Sequence, residues 1–395
     1  MNAASLGYTL SELEARGAQA TAREILQQPA LWREVGHTAA ARRETTEAFL
    51  LPLLERKDMR IVLTGAGTSS FAGELLAPAL GREFRRRIDA VPTTDIVTNP
   101  RESFGEDVPT LLVSFARSGD SPESVAASAL AEQCLSEVYH LVVTCNSAGE
   151  LHRYHSGKDR SLVLVMPEAS NDQGFAMTSS FTCMVLATWL TFSRSIVSDE
   201  LVNKLSAAAE SVLTRFVAPL HALANKNYKR VVYLGSGPFA GLGQESALKL
   251  LELTAGDVVS YSNSSMGFRH GPKAILDEFT LVLVYLAGDP YTRQYDLDVV
   301  RELSSAMGTD RVVVISASGI DGLGEHNLWQ IDGLDKLDDA LVALPFVLCA
   351  QILGLQFSLA LGKRPDNPFP SEMINRVVKG VSIYPLPGGV DPRSA

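Results

Sequence analysis

Two hydrophobic rhythms divide the chain. Over residues 10–26 and 42–54 apolar positions recur at helical spacing, with Gln27-Gln28-Pro29 breaking between them, so the stretch to residue 58 reads as a helical arm. From residue 60 the rhythm changes to short continuous apolar runs. RIVLTGAGTSSFAGELLAPAL at 60–80 ends such a run in a glycine turn and passes into a helical pattern, which predicts strand, loop and helix. RVVYLGSGPFAGLGQESALKL at 230–250 repeats that order. The correspondence continues: TLLVSFARSGDSPESVAAS at 110–128 answers TLVLVYLAGDPYTRQYDLDVV at 280–300, and YHLVVTCNSAGEL at 139–151 answers DRVVVISASGIDGL at 310–323. The chain reads as internally duplicated.

Near-continuous Val, Leu and Ile runs alternating with helices imply parallel sheets covered on both faces, hence an α/β class with two three-layer αβα domains. The pattern divides the chain into a helical arm (1–58), a first domain (59–198), a helical connector with a second domain (199–364) and a tail (365–395), with the hinge at 195–199. The apolar run 340–361 is long enough to span a membrane, yet Asp338, Asp339, Gln351, Gln356 and Pro345 mark it as a buried core helix. In such sheets ligands bind beyond the carboxyl ends of the strands, where the glycine and serine turns fall.

Composition narrows the partners. The 395 residues are 46% hydrophobic and 20% charged, an ordinary globular balance, and the net charge of −10 argues against a nucleic-acid backbone as partner. Cys134, Cys145, Cys183 and Cys349 are too scattered for a zinc cluster or a disulfide framework, and the first residues lack the pattern of a secretory signal, so a cytoplasmic protein without a membrane partner is expected. His152 and His155 have H-x-x-H spacing beside Tyr154, but no nearby cysteine or carboxylate is read as completing a metal set. Both read as structural, and no metal is expected.

Candidate chemistry lies in four segments. GAGTSS at 65–70 brings backbone close to a ligand, exposes helix-start amides and adds three hydroxyls, the parts of an oxyanion cradle. ARSGDSPES at 116–124 has the same strand-to-helix placement with Arg117, Ser118, Ser121 and Ser124 as donors. The first loop lacks the third glycine of a dinucleotide fingerprint and the Gly-Lys-Ser/Thr of a P-loop; helix capping alone is the plainer alternative for either loop. In ALKLLE at 247–252 the helical recurrence of Leu248, Leu251 and Ala255 sets Lys249 and Glu252 one turn apart on a flank of a buried face. A carboxylate losing hydration there becomes a usable base, while an ordinary ion pair explains the same spacing. RHGPKAI at 269–275 adds His270.

These segments resemble the sugar isomerase (SIS) domain in tandem, as in the isomerase part of glucosamine-6-phosphate synthase, over most of the chain. The resemblance implies a flavodoxin-like fold. It casts Gly67, Thr68, Ser69, Ser118 and Ser121 as phosphate ligands, with Arg117 where the synthases carry glutamine and Ala116 where a serine is usual. It also casts Glu252 as the proton shuttle between C1 and C2, Lys249 as the lysine beside it, and His270 as the ring-opening histidine supplied by a neighbouring subunit. A homodimer or a dimer of dimers is therefore implied. NRVVKGVSIYP at 375–385 resembles the closing segment, with Lys379 as the Schiff-base lysine. Asp172 and Gly174, in NDQG at 171–174, fall where the synthases line the sugar. No cofactor is implied.

The chain shows no N-terminal glutaminase cysteine, so an ammonia donor is not expected. SNSSMGFRHGPKAI and RPDNPFPSEMINRVVKGVSIYP resemble the AgaS group, which implies a galactosamine-6-phosphate deaminase/isomerase yielding tagatose-6-phosphate and ammonia. Two alternatives stay open: an isomerase of a neutral sugar phosphate that releases no ammonia, and a sugar-phosphate-binding regulator without catalysis.

Overall fold

The Val, Leu and Ile runs become ten strands in two parallel sheets among the residues described by this computed structural model, which are 6–193, 199–320, 327–369, 376 and 380–387. The chain folds as two units that interleave in sequence. One comprises residues 34–171 and 180–193 with the described tail residues 376 and 380–387; the other comprises 6–33, 172–179, 199–320 and 327–369. The helical arm is thus shared between them, and the tail belongs to the first-sheet unit from residue 376 onward. Residues 195–198 of the expected hinge and Lys379 of the tail lie outside the described residues.

In the first-sheet unit the strands are β1 (Arg60–Thr64), β2 (Ile88–Ala90), β3 (Thr110–Ala116), β4 (Val138–Thr144) and β5 (Ser161–Val165), in the order β2-β1-β3-β4-β5. All pairings are parallel, with Arg60 opposite Thr110 and Thr110 opposite Val138. Every residue of β3 is buried, as a central strand covered on both faces requires. Ile96, Ala127, Leu130 and Ala131 pack against Val62 and Leu112 on one face.

In the second-sheet unit β6 (Arg230–Gly235), β7 (Val259–Asn263), β8 (Thr280–Tyr285), β9 (Val312–Ser316) and β10 (Asn327–Gln330) run parallel in the order β10-β9-β8-β6-β7. Counted within its own half this is again 2-1-3-4-5, the flavodoxin-like order, so the repeat read from the glycine turns is a repeat of topology. Val299, Val300 and Leu303 of the helix Pro290–Met307 cover Val282, Val284, Val312 and Val314.

The helix Asp339–Ala360 is long and apolar enough to cross a membrane, but Ala340–Leu359 are all buried in this unit. Both glutamines bond within the unit: Gln351 accepts from the Gln28 amide at 2.7 Å, and Gln356 donates to the Leu6 carbonyl at 2.8 Å. Gly354 sits where an added Cβ would lie 3.0 Å from Leu253 and 3.4 Å from the Lys249 carbonyl. That small residue lets this helix approach the helix Pro238–Leu253, which carries the candidate carboxylate.

The arm is more segmented than its periodicity predicts. Residues 10–26 form two helices, Leu10–Ala15 and Gln19–Leu26, the first closed by a Thr9–Glu12 capping box. The second is capped by a distant residue, Asp366, which accepts from the Ala20 and Thr21 amides at 3.0 and 2.7 Å. The break at Gln27-Gln28-Pro29 is a single turn residue, because Pro29 falls in the first turn of the next helix, Gln28–Ala41, where its missing N–H costs nothing.

Candidate active site

In the first-sheet unit two loops leave the carboxyl ends of β1 and β3, neighbours in the sheet, at the point where strand order reverses. At Gly65 an added Cβ would lie 2.5 Å from the Ser69 carbonyl carbon, and Gly67 takes φ +55°, so both glycines are required by the turn into the helix Thr68–Phe84. Thr68, Ser69 and Ser70 fill its first turn and are buried.

The second loop is braced from behind. Gly119 adopts φ +70°, Asn146 donates its side-chain amide to the Ser118 carbonyl at 2.8 Å, and Asp120 accepts from the Glu150 amide at 2.9 Å. A Cβ on Gly149 would stand 2.4 Å from the Ser118 carbonyl oxygen. Asn146 and Gly149 therefore shape the loop, a role that sequence reading missed although they lie in the CNSAGE turn after β4. Ser121 donates to the Ser124 hydroxyl at 2.7 Å at the start of the helix Pro122–Cys134. Arg117 is buried, and its guanidinium donates to the Arg376 carbonyl at 2.8 Å, which ties the tail to this loop. Thr68, Ser69, Arg117, Ser118 and Ser121 thus gather on adjacent loops of one unit.

The carboxylate lies in the second-sheet unit. Glu252 Oε2 is 2.7 Å from the Lys249 ammonium, which is itself 3.5 Å from Glu245; both Lys249 and Glu245 are wholly buried, while the Glu252 side chain keeps 23% exposure. The helix presents a different stripe from the expected one. Leu251 is 41% exposed and Ala255 lies beyond the helix end at φ +51°, whereas Leu242, Glu245, Ser246, Lys249, Leu250 and Leu253 face inward. The i, i+4 spacing of Glu245 and Lys249 was the available signal, because a buried ammonium needs carboxylates within reach.

His270 is exposed, following the short helix Ser264-capped at Ser265–Phe268, and among the described residues its ring makes no hydrogen bond or ion pair with Glu252 or Lys249. Its neighbours Arg269 and Lys273 both pair with Glu302, the former at 2.7 Å, and Gly271 takes φ +113°. That clamp fixes the loop on either side of the histidine.

Asp172 is fully buried, and its carboxylate accepts from the Thr178 and Ser179 amides at 2.8 and 3.2 Å. Glu24, from the arm helix, accepts from the Gln173 amide at 2.6 Å and the Gly174 amide at 3.1 Å. Burial, reinforced by the nearby Asp172 charge, pushes the Glu24 carboxyl up to about 7. The NDQG turn is held by two buried carboxylates. His155, which the sequence reads as structural, is buried, and its near neighbours include His140 and Glu132, brought from β4 and from the helix Pro122–Cys134. Long-range folding supplied the carboxylate that local spacing lacked.

Residues 53–194 match the SIS domain family. An AgaS protein of Streptomyces coelicolor is 55% identical over 93% of this chain and 95% of its own length. The D-galactosamine-6-phosphate deaminase AgaS of Shewanella sp. (strain ANA-3) is 42% identical over 97% of this chain and 96% of its own. The chain belongs to the AgaS group of SIS proteins. The crystal structure of tagatose-6-phosphate ketose/aldose isomerase from Escherichia coli superposes on it with a TM-score of 0.85, at 39% identity, covering 93% of this chain and 96% of that one.

The two SIS units are not equivalent in chemistry. In the second, the loop after β6 has the same geometry, with Gly237 at φ +59° and Gly235 closed against Phe239. Yet Pro238 and the buried Phe239 stand where the first unit has Thr68 and Ser69, and the Ser236 hydroxyl donates to the Asp296 carboxylate at 2.7 Å. The Ser236 hydroxyl of this loop is thus engaged by a carboxylate. This AgaS-group chain keeps one hydroxyl-lined cradle of the two its topology allows.

Proposed function

We propose that this chain converts galactosamine-6-phosphate into tagatose-6-phosphate and ammonia. The observation that carries the reading is the Lys249–Glu252 pair, a solvent-touching carboxylate 2.7 Å from an ammonium sunk in the core, on a chain similar over its whole length to AgaS deaminases. In this reading the loops at Thr68–Ser69 and Arg117–Ser121 hold the phosphate, and binding energy at that end positions C1 and C2. His270 opens the hemiacetal. Glu252 removes the C2 proton and returns it at C1, leaving a ketimine at C2; water adds to the ketimine carbon and the C–N bond breaks, releasing ammonia and the ketose. Lys249, beside Glu252, is the cation that would stabilise the developing enolamine charge, and the family resemblance adds Lys379. The chemistry calls for no cofactor. His270's exposure and its separation from the Glu252 pair support a homodimer in which it serves the partner's carboxylate, and the four free cysteines suit a reducing cytoplasm.

The test is parallel measurement of ammonia and ketose from galactosamine-6-phosphate, with tagatose-6-phosphate as the neutral comparison and Glu252→Gln as control. Equimolar ammonia and ketose, lost in the variant, are expected. Turnover of the neutral sugar without ammonia would establish the plain isomerase, and binding without turnover the regulator.

A further inference from the structure

We propose that Glu132, His140 and His155 form a binding site for a divalent transition cation of the zinc class, apart from the sugar-phosphate loops. The three residues come from separate elements of the first-sheet unit: Glu132 from the helix Pro122–Cys134, His140 from β4 and His155 from the helix Glu150–His155. One ligand atom from each lies within 4.8 Å of the others. Two imidazoles and a carboxylate are a donor set suited to zinc, and three protein ligands leave a position for water.

His140 is the observation that points to a ligand. Its side chain is 3% exposed, Nδ1 has no hydrogen-bond partner, a rare condition for a buried polar group, and Nε2 is met by a carboxylate. Its Nε2 faces Glu132 Oε1 at 3.5 Å. Ligands about 2.0–2.2 Å from a tetrahedral metal stand roughly 3.3–3.5 Å apart, so this edge needs no movement.

The other two ligands are oriented by hydrogen bonds to hydroxyl groups. Tyr154 donates its hydroxyl to Glu132 Oε2 at 2.5 Å, leaving Oε1 for His140. His155 Nδ1 lies 3.0 Å from the Ser161 hydroxyl and Nε2 lies 2.8 Å from that of Ser128. With the proton on Nδ1, donated to Ser161, Nε2 presents its lone pair, and rotation of Ser128 frees it for a metal; this is the pattern of a ligating histidine fixed through its other nitrogen. Glu132 is the solvent-facing member and gives the ion a path in.

The site has a structural purpose. The short helix ending at His155 begins beside the second phosphate loop, where the Leu151 amide donates to the Gly119 carbonyl at 3.0 Å. An ion holding the far end of that helix to β4 and to the helix behind the loop would stiffen the brace.

The experiment is titration of chelator-treated full-length protein with zinc, read by calorimetry and retained metal, and with cobalt(II), read by visible absorption. Expected are one ion per chain and a visible cobalt band, with at least tenfold weaker binding in both Glu132→Gln and His140→Gln. His37→Gln and His152→Gln, which alter exposed or half-exposed histidines, should bind as the unmodified chain does. If His140→Gln fails to fold, Glu132→Gln decides alone, since it changes only the solvent-facing ligand. Trace metal after titration, or unchanged affinity in Glu132→Gln, would overturn the assignment. These readouts are independent of turnover.

Discussion

At the level of single residues the decisive asymmetry is between Glu252, which touches solvent, and Lys249, which does not. Glu252→Gln should lower kcat by roughly 10²–10⁴, the usual contribution of a positioned proton carrier, while leaving KM nearly unchanged. Steady-state kinetics checks this. Lys249→Met acts on folding as well as on the proton carrier, because it strips a counter-charge from the wholly buried Glu245; removing one partner of a buried pair costs about 3–5 kcal/mol, to be read by denaturant unfolding. Glu24 gives a second residue-scale prediction. Its carboxyl is raised to about 7, so the folded chain holds a proton that the unfolded chain has released. The contribution is therefore fully present below the ordinary carboxylate range and is lost as pH rises through about 7. Compared with the unmodified protein, Glu24→Gln should gain in relative stability between pH 5.5 and 8.5; a difference in unfolding free energy that stays flat across that range would refute it.

At the level of elements the two loops after β1 and β3, proposed to hold the phosphate, depend on close approach of backbone to backbone. Gly149 has an ordinary φ of −68°, so Gly149→Ala carries no dihedral strain, but its Cβ would meet the Ser118 carbonyl oxygen at 2.4 Å. The loop must shift, and KM for the sugar phosphate should rise at least tenfold with a smaller change in kcat, since a displaced anchor misplaces the substrate rather than the base. The strands were legible because β3, β4, β6, β8 and β9 are short, mostly apolar runs rich in Val, Ile and Leu, and the loops because glycine and serine follow them. The buried stripe of the helix Pro238–Leu253 was not, since Glu245, Ser246 and Lys249 occupy its inward face and break the apolar period. Polar residues face inward there because they satisfy one another: Ser246 shares a hydrogen bond with Tyr285 at 2.7 Å, and Lys249 joins Glu245 to Glu252. His140 lies inside an apolar strand with no local ligand pattern, and only the fold brings Glu132 and His155 to it.

At the level of the whole molecule the duplication was readable from order alone, because each glycine turn follows a strand and precedes a helix in both halves, and both sheets take the same strand order. What no single chain's sequence carries is assembly. His270 lies in the same unit as Glu252 yet stays exposed and unconnected to it, while the Arg269–Glu302–Lys273 clamp fixes the loop that presents it. A histidine held in this way but facing solvent suits the proposed dimer, and a shared site has a quantitative signature. Glu252→Gln and His270→Asn should each be inactive alone. Mixed and allowed to exchange subunits, they form hetero-dimers in which one site carries both substitutions and the other neither. Half the dimers are mixed at equilibrium, each with one intact site of two, so activity should return to roughly a quarter of the unmodified level. Sites complete within one subunit would keep each mixed dimer as inactive as its parents, and no activity would return on mixing.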